Sequence, residues 1–172
     1  MLFIVGTDHN YQFGAGVRYG EDHCSEADQA AFAHMLRDLA TTLAAEVLAE
    51  ELNGQALEEV GRTKSVMQLV AAEGAIPHLF CEPDRQERRI LGIRVDNEIR
   101  ISAFPKVLDE HTVQALVSES WRRRELEWLR RLDTVRSKNV LFVCGAQHIS
   151  TFASLAREHG FECKVVHAAW EA

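Results

Sequence analysis

A chain of 172 residues suits one domain with a real core and is short for two, so residues 1–172 are read as a single domain. Its 47% apolar and 26% charged composition excludes a disordered chain, and a net charge of −7 removes any global reason to expect nucleic-acid binding. No stretch approaches the roughly 18 apolar residues of a membrane span, and Met1 leads into a short apolar run without a basic segment. A cytoplasmic protein that meets no membrane is therefore the expectation. Its four cysteines, which show no CxxC spacing, are expected to be reduced and mostly buried.

Leu2–Val5 is a brief apolar run ending in glycine, as a strand buried on both faces would be. The glycine-rich stretch from Thr7 to Cys24 has no periodicity and reads as a long functional loop, a mobile lid beside His9. Ser25 with Asp28 can cap a helix bearing Phe32, Leu36, Leu39 and Leu43 at helical spacing. Val47–Glu51 suits a second strand, and Asn53-Gly54 a turn before one helical region over 55–73. Ile76–Cys81 reads as a third strand, and the charged stretch from Asp84 to Pro105 as helical. A long amphipathic helix is expected between Asp109 and Arg136; Trp121 and Trp128, seven apart on it, belong to the core or to a homodimer interface. The arginines and glutamates of 119–131 read as its solvated, salt-bridged side. Val140–Cys144 is a fourth strand, Ile149–His159 a helix stopped by Gly160, and Glu162–His167 a fifth strand. Short apolar strands alternating with helices predict an α/β domain of three layers, with a mainly parallel sheet of about five strands between helices.

In such sheets the ligand site lies outside the carboxyl ends of the strands. The residues there are polar and titratable: Asp8 and His9, Glu50 and Glu51, Glu82 with Asp84 and Arg85, then Gln147 and His148. Two of these strands end in the same way, Gly6 to His9 and Gly145 to His148, with a glycine to let a ligand approach and a histidine to project over the rim. One such strand end is common by chance; a pair with carboxylates between them is less readily accidental. Alternation sends Glu50 and Glu51 to opposite faces, which favours Glu51 for the site. His78 and His167, within strands, read as structural, and His23 as a lesser candidate. Histidines and carboxylates converging on one rim could bind a divalent metal or act as a general acid/base set.

The order and content of FIVGTDHNY, VLAEELN, HLFCEPDRQERR, RRRELEWL and VLFVCGAQHISTF resemble the TraB/PrgY proteins and their Tiki, erythromycin esterase-like and ChaN-like relatives. Asn53 stands where the TraB pattern has an aspartate. The resemblance implies a site of His9, Glu51, Asp84 with Arg85, Arg124 and His148. It implies metal-dependent proteolysis as in Tiki proteins, lactone opening through histidines and glutamates as in the esterases, or haem binding as in ChaN-like proteins.

The expected function is accordingly a metal-dependent hydrolase, peptidase- or esterase-like, acting on a small molecule or peptide. His9, Glu51 and His148 would hold a metal or a water, which a metal would acidify. Arg124 would join the catalytic set as an oxyanion stabiliser, with Asp8, Asp84, Arg85 and Gln147 around the substrate. The alternative expectation is a non-catalytic protein of the same fold that binds haem or an anionic metabolite, or regulates a partner. No GxSxG elbow or P-loop is present and no cysteine has a histidine neighbour in a nucleophile motif, which argues against a covalent serine or cysteine hydrolase.

Overall fold

Alternating side chains along three strands separate two cores, and the sheet lies between them. The structure, a computed structural model, describes residues 1–19, 22–104 and 108–172, of which Arg18, Tyr19, Asp22 and His23 by backbone alone. The His23 side chain, Gly20 and Pro105 therefore lie outside the described residues. Strands β1 (Leu2–Thr7), β4 (Val47–Glu50), β5 (His78–Phe80), β6 (Val140–Gly145) and β7 (Cys163–Trp170) form one sheet in the order β5-β4-β6-β1-β7. Every pairing in it is parallel. The short strands β2 (Arg18–Tyr19) and β3 (Asp22–His23) pair antiparallel as a separate hairpin.

β1, β4 and β6 are buried along their whole length, as continuous apolar runs in a parallel sheet should be. Leu2, Ile4, Ala49 and Phe142 point to a core shared with α7 (Glu110–Asp133) and α8 (Ile149–Glu158). Phe3, Val5, Leu48 and Val143 point to the other, closed by α2 (Glu26–Thr42) and α4 (Val66–Glu73). The expected three-layer α/β architecture with five parallel strands is the fold. No helix among the described residues is long and apolar enough to cross a membrane.

Three stretches differ from the expectation. The glycine-rich segment after β1 opens with a helix, α1 (His9–Phe13), because the Asp8 carboxylate accepts the Asn10 N–H at 2.7 Å and starts a turn. Asn10, Gln12, Phe13, Val17 and Cys24 are buried, so these parts of the segment belong to the packed body rather than to a lid. The helical region over 55–73 splits into α3 (Gly54–Glu59) and α4, since Asn53 caps the first and Ser65 starts a capping box for the second. The charged stretch from Asp84 likewise splits into α5 (Arg85–Leu91) and α6 (Asp96–Ala103). Gly92 stands between them with φ +66°, a left-handed conformation that ends α5.

β1 and β6 are direct neighbours, with Thr7 opposite Gly145, so the two Gly-to-His segments leave the sheet side by side. The two glycines do different work. A Cβ at Gly6 would lie 2.2 Å from the Ala168 carbonyl and 2.6 Å from Ile149, so Gly6 lets β7 and α8 close over β1. A Cβ at Gly145 would lie 3.2 Å from His9 Nε2 and 3.5 Å from Glu51 Oε2, so only Gly145 clears space for the site.

Candidate active site

Glu51 is the centre of the arrangement. It follows β4 on the face of Ala49, is only 1% exposed, and both its oxygens are engaged. Oε2 accepts the Gly145 N–H at 2.7 Å, and Oε1 accepts from Arg124 Nη2 on α7. His9 Nε2 and His148 Nε2 lie 3.7 and 3.8 Å from that same Oε1. Burial pushes the Glu51 carboxyl up, but Arg124, the two histidines in their charged form and the Gly145 N–H together outweigh it and hold the group below its ordinary value. Glu51 is a buried carboxylate kept ionised.

Each imidazole is oriented through its other nitrogen. His148 Nδ1 meets Glu125 Oε1 at 2.8 Å, and a carboxylate can only accept, so Nδ1 carries a proton and, in the neutral imidazole, Nε2 carries the lone pair. Glu125, 2% exposed, also accepts the Thr151 hydroxyl at 2.6 Å. The His148 ring is fully buried between Trp121 and Trp128, with centroids 4.7 and 5.0 Å away. Its Nε2 has no hydrogen-bond partner. His9 Nδ1 lies 2.7 Å from Gln12 Oε1, one turn along α1, and with that amide as acceptor His9 takes the same tautomer. The His9 side chain keeps 19% of its surface and faces the open side.

Arg124 is shared with a second carboxylate. Its Nε donates to Glu82 Oε2 at 2.7 Å, the oxygen that also accepts the Trp128 indole N–H at 2.9 Å. Two clefts open over this cluster. One, of about 480 Å³, is walled by His9, Arg88, Arg94, Trp121, Arg124 and Gln147. The other, of about 380 Å³, runs past Glu51 and Arg124 to Arg85.

The structure thus brings together His9, Glu51, Arg124 and His148. Asp8 and Gln147 stand at the rim, where the Asp8 carboxylate serves as the cap of α1. Asp84 caps α5 through the Glu87 N–H at 2.8 Å, and the exposed Arg85 pairs with Glu59 at 2.9 Å on the cleft wall. Trp121 and Trp128 belong to the site itself rather than only to a core or an interface.

Glu125, Gln12 and Arg88 were not singled out from the sequence, Glu82 only as a strand-end carboxylate and Trp121 only as a core or interface residue. A helical wheel carries a signal for part of this set: Trp121, Arg124, Glu125 and Trp128 fall at i, i+3, i+4 and i+7, one stripe of α7.

A resident metal does not fit these residues as arranged. A tetrahedral zinc with donors at about 2.1 Å holds them about 3.4 Å apart. The separations from Glu51 Oε1 are wider, and the guanidinium of Arg124 already occupies that oxygen as its cation. Among the described residues, no group of three or more His, Cys, Asp or Glu is disposed to hold a metal ion. Haem fits no better, because the larger cleft intersperses Ile93, Val95 and Trp121 with arginine, aspartate, asparagine and glutamine where a macrocycle needs a continuous apolar slot.

No family model, no curated protein and no solved structure matches this chain.

Proposed function

We propose that the protein is a hydrolase of esterase or peptidase type whose nucleophile is a water held by His148, His9 and Glu51, without a resident metal. The observation that carries the reading is the His148 Nε2: a fully buried nitrogen with no partner, 3.8 Å from Glu51 and an acceptor in the neutral imidazole whose proton Glu125 holds on Nδ1. A buried polar atom left without a partner costs about 1–3 kcal/mol, so the place beside it suits a hydrogen-bond donor from outside the chain. At 3.7 and 3.8 Å from the two imidazoles, Glu51 Oε1 leaves a water able to reach an imidazole nitrogen and the carboxylate at ordinary hydrogen-bond lengths.

In the reaction the water gives its proton to His148 Nε2 while its oxygen attacks the substrate carbonyl carbon. Glu51 stabilises the imidazolium so formed, and Glu125 holds its Nδ1–H. His148 then returns that proton to the leaving group, while the partly exposed His9 faces the cleft and helps to hold the water, and Arg124 borders the developing oxyanion. One water is consumed, and the acyl–oxygen or acyl–nitrogen bond breaks.

The test is hydrolysis of p-nitrophenyl acetate, a lactone and a short peptide, with and without EDTA. We expect turnover of at least one that survives EDTA and falls about a hundred- to ten-thousand-fold in His9→Ala. Turnover abolished by EDTA would return the site to a metal, and equal rates in wild type and variant would sink the assignment.

A further inference from the structure

The larger cleft contains arginines that the acid/base cluster does not use. Arg124 is committed to Glu51 and Glu82. Among the described residues the ion-pair partner of Arg88, on α5, is Glu82, whose Oε1 lies 3.6 Å away, beyond hydrogen-bond length. Arg94 has no ion pair among the described residues; its Nη1 donates to the neutral Ser102 hydroxyl at 3.2 Å. Both line the cleft that holds His9.

The backbone of Arg94 is fixed by one buried side chain. The Ser120 hydroxyl accepts the Arg94 N–H at 2.9 Å and donates to the Arg94 carbonyl at 2.6 Å. The guanidinium is therefore presented from a rigid point between α5 and α6. The two carboxylates of the same cleft are engaged locally, Asp8 by the Asn10 N–H and Asp96 by the Trp121 indole N–H at 2.9 Å. Asn97 and Gln147 add neutral polar groups to its walls.

We infer that Arg88 and Arg94 form an anion subsite beside the reacting cluster, so that the substrate carries a carboxylate or a phosphate near the bond that is cleaved. Guanidinium groups bind either anion through paired N–H donors, and the chemistry is shared between the two. The inference rests on reading the cleft as a substrate site, and it gives Arg88 and Arg94 a role separate from that of Arg124 at the oxyanion.

The test has a kinetic arm and a binding arm. In the first, neutral p-nitrophenyl acetate is compared with the mono-p-nitrophenyl ester of glutaric acid, which has the same leaving group. Wild type should favour the charged ester in kcat/KM, and Arg88→Gln and Arg94→Gln should each lower the charged-to-neutral ratio about tenfold, the loss of one charge-assisted contact. In the second, glutarate and inorganic phosphate are titrated while following tryptophan fluorescence, since Trp121 lines the cleft. Saturable binding weakened about tenfold in either variant is expected, and the stronger of the two anions identifies the substrate group.

Anion binding that depends on these arginines without hydrolysis of either ester would keep the subsite and remove the hydrolase reading. Hydrolysis with an unchanged ratio in both variants, or no saturable anion binding, would overturn the subsite.

Discussion

Glu50 and Glu51 are neighbours in the chain, both buried carboxylates, and they lie on opposite sides of the sheet with opposite uses. Glu50 Oε1 accepts from the Ser65 hydroxyl and from His78 Nε2 at 2.8 Å. Ser65 is also the cap of α4, so this carboxylate ties strand, helix and edge strand together. Glu51 is met by a guanidinium, a backbone N–H and the Nε2 atoms of two histidines, at least one of which is oriented so that, when neutral, it can only accept. A buried carboxylate surrounded by hydroxyl and imidazole donors is a staple. One faced by oriented acceptors beside an open cleft is a place for a reacting water. The difference is set by whether the facing imidazole nitrogen donates or accepts, and burial alone would not separate the two.

The comparison can be broken most severely at Arg124. Arg124→Met leaves Glu51 and Glu82, both nearly without exposed surface, lacking their shared cation, and removing one partner of a buried pair typically costs about 3–5 kcal/mol. Chemical denaturation should show that loss, and a change below 1 kcal/mol would mean that the carboxylates are protonated. On the Glu50 side, His78→Ala removes one of two donors and should cost about 1–3 kcal/mol while kcat/KM for hydrolysis stays within twofold of wild type. A large kinetic effect there would move the site to the other face of the sheet.

The smallest expected effect is a pH dependence. Glu51 is held below its ordinary value in the folded protein, so its contribution to stability is present above the unfolded-state value and is lost as pH falls through the folded-state one. Thermal melts should fall on the acid side of the carboxylate range, and the slope should flatten in Glu51→Gln. An identical slope would show that Glu51 is not the group responsible.

Strand ends were the readable part of this site. Continuous apolar runs identified the strands, the glycine-to-histidine repeat identified two of their ends, and alternation chose Glu51 over Glu50. The orienting partners escaped because they come from elsewhere in the chain. Glu125 lies 23 positions before His148 in a helix whose charges resemble a solvated face. Gln12 sits in a five-residue helix too short to show a period. The reading of both glycines as ligand clearance failed at Gly6, because the crowding there comes from β7 and α8, which no local pattern announces. Asp84 looked like a site residue and is a helix cap: an acid three residues before Glu87 carries both meanings, and the capping box supplies the partner.

The most direct test of the central claim compares two isosteric changes one residue apart, Glu51→Gln and Glu50→Gln, in the hydrolysis assay with each variant shown to be folded by circular dichroism. The account predicts that Glu51→Gln lowers kcat about a hundred- to ten-thousand-fold and that Glu50→Gln leaves it within a few-fold of wild type. Equal losses in the two variants, or a loss confined to Glu50→Gln, would contradict it.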